Sequence, residues 1–217
     1  MAGILLGSAN IPNISFGSTP ILKVSLGTVP IWPAIPFTPV EWTWTTAGAY
    51  TYTIPAECSR IDVIVLGGGG GGQASAALFN YGQPGVPGEW NSRTLVRGVD
   101  IPWEITQITG SVGSPGPGGI GPSILPGGPG GSTTAVYDGN TLTGSGGGGG
   151  IGWAASQAAS RGKSPGNLTF NGRLYTGGAA VTSNNQPGNP PGGSGSGSAQ
   201  LSSGSNGARG QVWFYAY

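Results

Sequence analysis

The sequence predicts an all-β protein with no appreciable helix: a small N-terminal β-repeat module, then a β-sandwich-like scaffold carrying glycine-rich, polyglycine-II-like extended segments. Three observations predict it. Of 217 residues, 46 are glycine and 19 are proline, the two residues least compatible with a helix interior. They are accompanied by 7 Trp, 7 Tyr and 5 Phe while only 7% of the chain is charged, whereas disordered chains are charged and poor in aromatics. Rings in this number need a core or a binding face. Finally, β-branched and aromatic runs of period two alternate with the glycine tracts, which is how half-buried strands read.

Residues 1–31 repeat a ten-residue unit: Leu6-Gly7-Ser8-Ala9-Asn10-Ile11, Phe16-Gly17-Ser18-Thr19-Pro20-Ile21 and Leu26-Gly27-Thr28-Val29-Pro30-Ile31, with Trp32 following. Short strands joined by tight Gly-Ser/Thr turns fit this pattern, three of them with about four residues each. So small a sheet buries little alone and needs a partner surface. We read it as a docking or oligomerisation module, with Leu6, Gly7, Phe16, Gly17, Leu26, Gly27, Ile31 and Trp32 as its repeat; the plainer reading is a meander of the main domain. Residues 32–41 carry Pro33, Pro36 and Pro39 at period three and read as a stiff extended linker. Residues 42–217 form the glycine-rich β domain.

Within that domain, Glu41–Thr46 alternates aromatic and threonine, turns at Ala47-Gly48-Ala49 and returns as Tyr50–Ile54, a hairpin pattern. Arg60–Leu66 is a β-branched run suited to a central strand and ends directly in Gly67 to Gly72. Strand islands follow at 94–96, 103–108, 133–137 and 167–170, two of them beside the hairpin turns Asp138-Gly139 and Asn171-Gly172. Arg209–Tyr217 is a second strong strand, expected to pair with residues 60–66 so that the two bracket the glycine body. Gly82, Gly85 and Gly88, then Gly113, Gly116 and Gly119, keep a period of three, but the period breaks at Asn91 and Pro122, which excludes a collagen triple helix. Extended glycine chains can instead lie close and exchange backbone hydrogen bonds in several directions; flexible loops are the alternative.

A net charge of +1 offers no electrostatic footprint for nucleic acid or an anionic membrane. A surface this poor in charge suits permanent assembly with copies of itself or other subunits. Cys58 is single, so no intrachain disulfide is expected. The N-terminus has no basic n-region and no apolar stretch reaches a membrane span, so no membrane insertion is expected, and synthesis in a host cytoplasm is expected.

Two segments carry a family resemblance: the apolar-Gly-Ser/Thr repeat ending at Ile31-Trp32-Pro33, and the pattern Trp42-Thr43-Trp44, Gly48, Tyr50–Ala56, Ile61–Gly67 and Gly207–Phe214. Together they resemble the glycine-rich minor tail proteins of actinobacterial, mycobacteriophage-like tailed bacteriophages. The resemblance implies a structural virion protein at the distal tail tip, assembled with other tail proteins as a trimer or multiple of three. The glycine-rich part would face outward; the resemblance identifies no receptor, and a bacterial cell-surface glycan is a partner only if exposed aromatics stack on sugar faces.

Chemistry is sparse. No histidine means no Ser-His-Asp or Cys-His system, and one cysteine without histidine cannot ligate zinc. Cys58 has no activating base beside it and reads as a structural thiol. Glu41, Glu57, Asp62, Glu89, Asp100, Glu104 and Asp138 are too scattered to suggest a glycosidase pair. Gly67–Gly72 lacks the Gly-Lys-Ser/Thr of a phosphate loop, with Gln73-Ala74-Ser75 following. The expectation is therefore a non-enzyme without cofactor or metal. Trp42, Trp44, Tyr50, Tyr52, Trp213 and Phe214 read as core. Trp90, Trp103, Trp153 and Tyr175 lie within glycine-rich stretches, where they either plug loops onto the scaffold or stack on sugar faces, helped by the amides of Asn80, Asn91 and Asn184. A dedicated carbohydrate-binding adhesin is thus the second reading and a carbohydrate-active enzyme the third.

Overall fold

The computed structural model describes strand residues 14–16, 19–21, 24–26 and 29–32 and, from residue 37 onward, every residue except Ala77 and Phe79. The chain divides into two compact units, Met1–Thr38 and Pro39–Tyr217. In the first, β1 (Ile14–Phe16) pairs antiparallel with β2 (Thr19–Ile21), and β3 (Val24–Leu26) with β4 (Val29–Trp32). The repeat thus yields two strand pairs where a run of three strands was expected, each pair spanning one Gly-Ser/Thr step. Phe16, Leu26, Ile31 and Trp32 fall in these strands, while Leu6, Gly7, Gly17 and Gly27 lie outside the described residues.

The second unit is built on two antiparallel four-stranded sheets. One has the order β5–β16–β7–β9, with β5 at Val40–Trp44, β7 at Arg60–Leu66, β9 at Trp90–Val96 and β16 at Gln211–Ala216. The other has the order β12–β11–β10–β6, with β6 at Gly48–Thr53, β10 at Gln107–Val112, β11 at Thr133–Tyr137 and β12 at Asn140–Gly144. Two small pairs complete the unit, β8 (Tyr81–Gly82) with β13 (Trp153–Ala154), and β14 (Leu168–Phe170) with β15 (Arg173–Tyr175). The described residues contain no helix.

The C-terminal strand does pair with residues 60–66: Phe214 stands opposite Val63 and Val212 opposite Val65. Between the sheets, Phe214 stacks on Tyr52 with ring centroids 4.1 Å apart and meets the edge of Tyr50 at 5.8 Å. Trp42 and Trp44 close that cluster from β5. Trp213 points to the opposite face of its sheet, as strand alternation requires, and stacks there on Trp90. Both Asp138-Gly139 and Asn171-Gly172 are hairpin turns with positive φ at each residue (44° and 74°, 47° and 74°), the backbone that Asn/Asp-Gly favours in two-residue hairpins.

Two expectations are corrected. Residues 41–54 do not form a hairpin: β5 pairs with β16 and β6 with β10, so the chain crosses from one sheet to the other at Gly48, whose φ is +114°. Alternation reports a half-buried strand but not its partner. The island at 103–108 is displaced, because β10 begins at Gln107 and residues 102–105 form a turn closed by Ile105 N–H donating to the Pro102 carbonyl. That turn is held by buried Arg97, whose guanidinium donates to the carbonyls of Ile105 (2.7 Å) and Trp103 (2.9 Å).

Burial raises two phenols and the thiol of the core. The Tyr52 phenol is pushed up to about 12, first by desolvation and then by the nearby Cys58 thiol, and Tyr50 is raised further by burial alone. Burial likewise pushes up Cys58, which fits an inert thiol. An unfolded tyrosine ionises near pH 10, so above that pH the unfolded chain holds fewer protons than the folded one and stability falls. Melting temperature is therefore expected to be insensitive to tyrosine ionisation below pH 10 and to decline between pH 10 and 12.

Candidate functional site

Past Leu66 the chain runs into six glycines, Gly67–Gly72, and the strands continue as a bundle. The run Gly67–Ser75 forms its axis, and its amides point in three directions in strict rotation. Gly67, Gly70 and Gln73 donate to Glu89, Val86 and Gln83; Gly68, Gly71 and Ala74 donate to Gly131, Gly128 and Leu125; Gly69, Gly72 and Ser75 donate to Ala208, Ser205 and Ser202, all at 2.8–3.1 Å. Partners descending by three as the donor rises by three mean three antiparallel neighbours and three residues per turn, the repeat of a polyproline-II-type chain. Three parallel neighbours donate back: Gly116 and Gly119 to Gly69 and Gly72, Gly147 and Gly150 to Gly68 and Gly71, Gly195 and Ser198 to Gly70 and Gln73. Six chains thus surround the axis, and they also bond to one another, as Gly130 to Gly147, Gly207 to Gly116 and Gly85 to Gly195.

Six of the seven bundle segments are direct continuations of sandwich strands: 67–75 of β7, 83–89 of β9, 113–119 of β10, 125–131 of β11, 144–150 of β12 and 202–210 of β16. Packed sheets lie about 10 Å apart because side chains separate them. At the glycine positions the two layers close until backbone meets backbone. The junction is marked by buried Thr133, whose hydroxyl donates to the Leu66 carbonyl at 2.6 Å and accepts from the Gly113 amide at 3.0 Å. Segment 192–198 is the added seventh chain; it packs outside Leu66 and is itself covered by residues 160–163 and 186–189.

The axis runs about 28 Å at a rise of 3.1 Å per residue, from the sandwich to a far tip made of four turns, around Leu78 and residues 80–81, 120–124, 151–154 and 199–201. The tip holds the exposed side chains of Leu78, Ile120, Ile124, Ile151, Trp153 and Leu201. Sequence reasoning passed over the aliphatic ones. Their only signal is position: Ile120 follows Gly118-Gly119 and Ile151 follows Gly146–Gly150, single apolar residues where a glycine run stops. Gln73, at the outer end of the axis, supports one turn by accepting from the Gly152 amide, and Gln83 donates to the Trp153 carbonyl.

The structure separates the four aromatics singled out as possible contact residues. Trp90 is half-buried on Trp213 and donates its indole N–H to the Pro165 carbonyl at 3.2 Å. Tyr175 meets the edge of Trp213 and is only 4% exposed, leaving no ring face for a ligand. Trp103 lies beneath the Arg97 guanidinium, 4.9 Å from its centroid. Trp153, 39% exposed, is the one that reaches the tip. Of the three amides, Asn91 donates to the Thr143 carbonyl across the sheets, Asn80 accepts from Ser75 through its main chain, and the side-chain atoms of Asn184 are buried without a partner.

The carboxylates are spread over the sandwich. Asp62, buried on the outer face of β7, accepts from Thr94 Oγ1 (2.6 Å) and from Asn171 Nδ2 (3.0 Å), which clasps the β14–β15 hairpin to the sheet. The Val96 amide and Arg93 hold Asp100 below the usual carboxylate range. Glu41 pairs with Arg173, whose guanidinium also covers the Tyr215 ring at 3.9 Å. Among the described residues no three His, Cys, Asp or Glu side chains gather where a metal could sit, and no helix is long and apolar enough to cross a membrane. A hollow of about 300 Å³ lies along residues 180–189 and is lined by uncharged side chains.

The family pattern of a glycine-rich domain matches residues 45–217, nearly all of the sandwich and the whole bundle. The chain belongs to the glycine-rich domain family. Over 229 aligned residues this glycine-rich chain is 45% identical to the Gene 32 protein of Mycobacterium phage D29, and over 225 residues 51% identical to the Gene 32 protein of Mycobacterium phage L5; both comparisons span 100% of each chain. It is a phage protein, made in the host. The composition of its glycine-rich domain follows from the bundle: a Cβ on Gly147, for example, would overlap the Val86 carbonyl oxygen.

Proposed function

We propose that this protein is a structural minor tail protein at the distal end of a phage tail, anchored among other tail subunits by residues 1–31 and directing its bundle toward the host envelope. The observation that carries the reading is the bundle itself. It is a stiff projection without catalytic groups, joined end-on to a sandwich, in a chain akin along its whole length to phage proteins. Val40 pairs with Ala216 at the sandwich end remote from the bundle, so the chain enters its second unit opposite the tip, and an attachment from that side leaves the tip free. The 7% charged composition supports permanent assembly, with a trimer or a multiple of three as the proposed state. The role is non-enzymatic, and host contact is secondary to assembly.

The test is made on particles. Immunogold labelling of intact virions is expected at the tail end away from the capsid. A phage encoding the protein without residues 1–37 is expected to yield particles lacking it, while the truncated chain accumulates free in the lysate. Label on the capsid, or normal incorporation of the truncated chain, would sink the proposal.

A further inference from the structure

The bundle tip has a chemistry that the tail reading does not require. Of the twelve large apolar side chains exposed among the described residues, seven are at this one end: Leu78, Ile120, Ile124 with Leu125, Ile151 with Trp153, and Leu201. Ile151 is 76% and Ile120 72% exposed, each at the start of its own turn. The remaining five are scattered singly, as is normal for a soluble surface. Clustering of this kind marks a contact surface.

Charge separates the two ends just as sharply. Residues 63–88, 105–137, 139–160 and 174–208 contain no Asp, Glu, Lys or Arg, and those stretches include all four tip turns. Arg161 and Lys163 belong to a segment that flanks the bundle, bonded to Gly82, Ser194 and Gly197. The half-buried Tyr81 and the partly exposed Trp153 lie at the same end, on the paired strands β8 and β13. Aliphatic side chains beside Trp and Tyr are the combination met at a membrane–water interface.

We propose that the tip inserts its exposed apolar side chains into a lipid surface, through acyl chains rather than headgroup charge. Three features favour lipid over a protein partner or a second copy. With chains about 4.8 Å apart, the tip is a disc roughly 20–25 Å across, about 300–500 Å², against about 800 Å² per partner in a stable protein interface. Its apolar groups project from separate turns, a convex form that a fluid phase can accommodate one by one. The backbone beneath them is hydrogen-bonded nearly to the turns, with the Ser75 amide donating to Ser202 and the Gly204 amide to Gly119. Side chains can therefore enter the lipid while the turns stay at the interface, where their remaining polar groups keep water.

The inference rests on the tail reading for its setting, in which the tip faces outward, but its test uses the purified full-length chain and vesicles, so either can fail alone. Flotation with vesicles of phosphatidylcholine, and of phosphatidylcholine mixed with phosphatidylglycerol, is compared at low and high salt. Binding to both kinds is expected, with little loss at high salt, since salt screens charge but not apolar insertion. The double variant I120S/I151S is expected to bind at least about tenfold more weakly, while its thermal unfolding stays that of the parent because neither side chain is buried. Unchanged binding by that variant, or no flotation of the parent, overturns the proposal. Binding to anionic vesicles alone and only at low salt also overturns it, assigning the contact to Arg161 and Lys163. A concentration-dependent dimer abolished by I120S/I151S would assign the tip to a second copy instead.

Discussion

Gly70→Ala is expected to prevent folding of the 39–217 unit, whereas Gly148→Ala, in a run of five glycines, is expected to be tolerated. Gly70 lies on the bundle axis, and a Cβ there would overlap the carbonyl of Gly148, a backbone atom with no side chain to swing aside. Relief requires separating two chains, yet Gly70 is tied on both sides, its amide to the Val86 carbonyl and its own carbonyl to the Gly195 amide, each at 2.9 Å. A loss above about 4–5 kcal/mol is exceptional for one substitution and approaches the whole stability of a domain, about 5–15 kcal/mol. At Gly148 a Cβ would meet only Val86 Cγ2 at 3.9 Å, and its φ is not in the left-handed region. Alanine there is expected to change stability by less than about 1 kcal/mol, in the stabilising direction, because it restricts the unfolded chain. Urea unfolding of both variants decides the matter. Equal tolerance would mean that the bundle yields; equal damage would mean that glycine is needed for reasons other than close approach.

The contrast also shows what in the sequence was readable. The period of three in Gly82, Gly85, Gly88 and in Gly113, Gly116, Gly119 was visible, and its interruptions correctly excluded collagen. Those interruptions fall where a bundle segment ends: Gly88 is followed by β9, and Gly119 by the tip turn carrying Pro122. Local signals worked wherever the physics is local, as in the Asp138-Gly139 and Asn171-Gly172 turns and the β-branched run of β7. They failed where the partner is distant. The alternation of Trp42, Trp44, Tyr50 and Tyr52 is equally consistent with one hairpin or with two edge strands, and only the pairings with β16 and β10 distinguish these. Trp90 and Tyr175 read as loop aromatics because nothing near them in sequence announces Trp213, 123 and 38 positions away, on which both close. At the tip, isolated isoleucines after glycine runs carried no periodicity to read, and their convergence depends on the register of separate bundle segments.

Because six strands run straight into bundle segments, sandwich and bundle should stand or fall together, and Phe214→Ala tests this from the sandwich side. Phe214 is fully buried, stacks on Tyr52 and meets the edge of Tyr50, and so holds β16 of one sheet against β6 of the other. Truncating such a ring costs about 3–5 kcal/mol. For a domain of this size that corresponds to a fall of roughly 6–20 °C in melting temperature. The same residue continues, through Gln211 and Gly210, into the chain that accepts hydrogen bonds from Gly69, Gly72 and Ser75. Loosening β16 should therefore release the bundle in the same transition, lowering tyrosine near-UV signal and amide protection of the glycine segments in parallel. A double-mutant cycle with Tyr52→Ala is expected to give a coupling of about 0.5–1.5 kcal/mol, the part of the cost due to the stacked pair itself. If the glycine amides stayed protected while the aromatic cluster melted, the bundle would be a separate folding unit. The strands would then be its attachment and not the source of its stability.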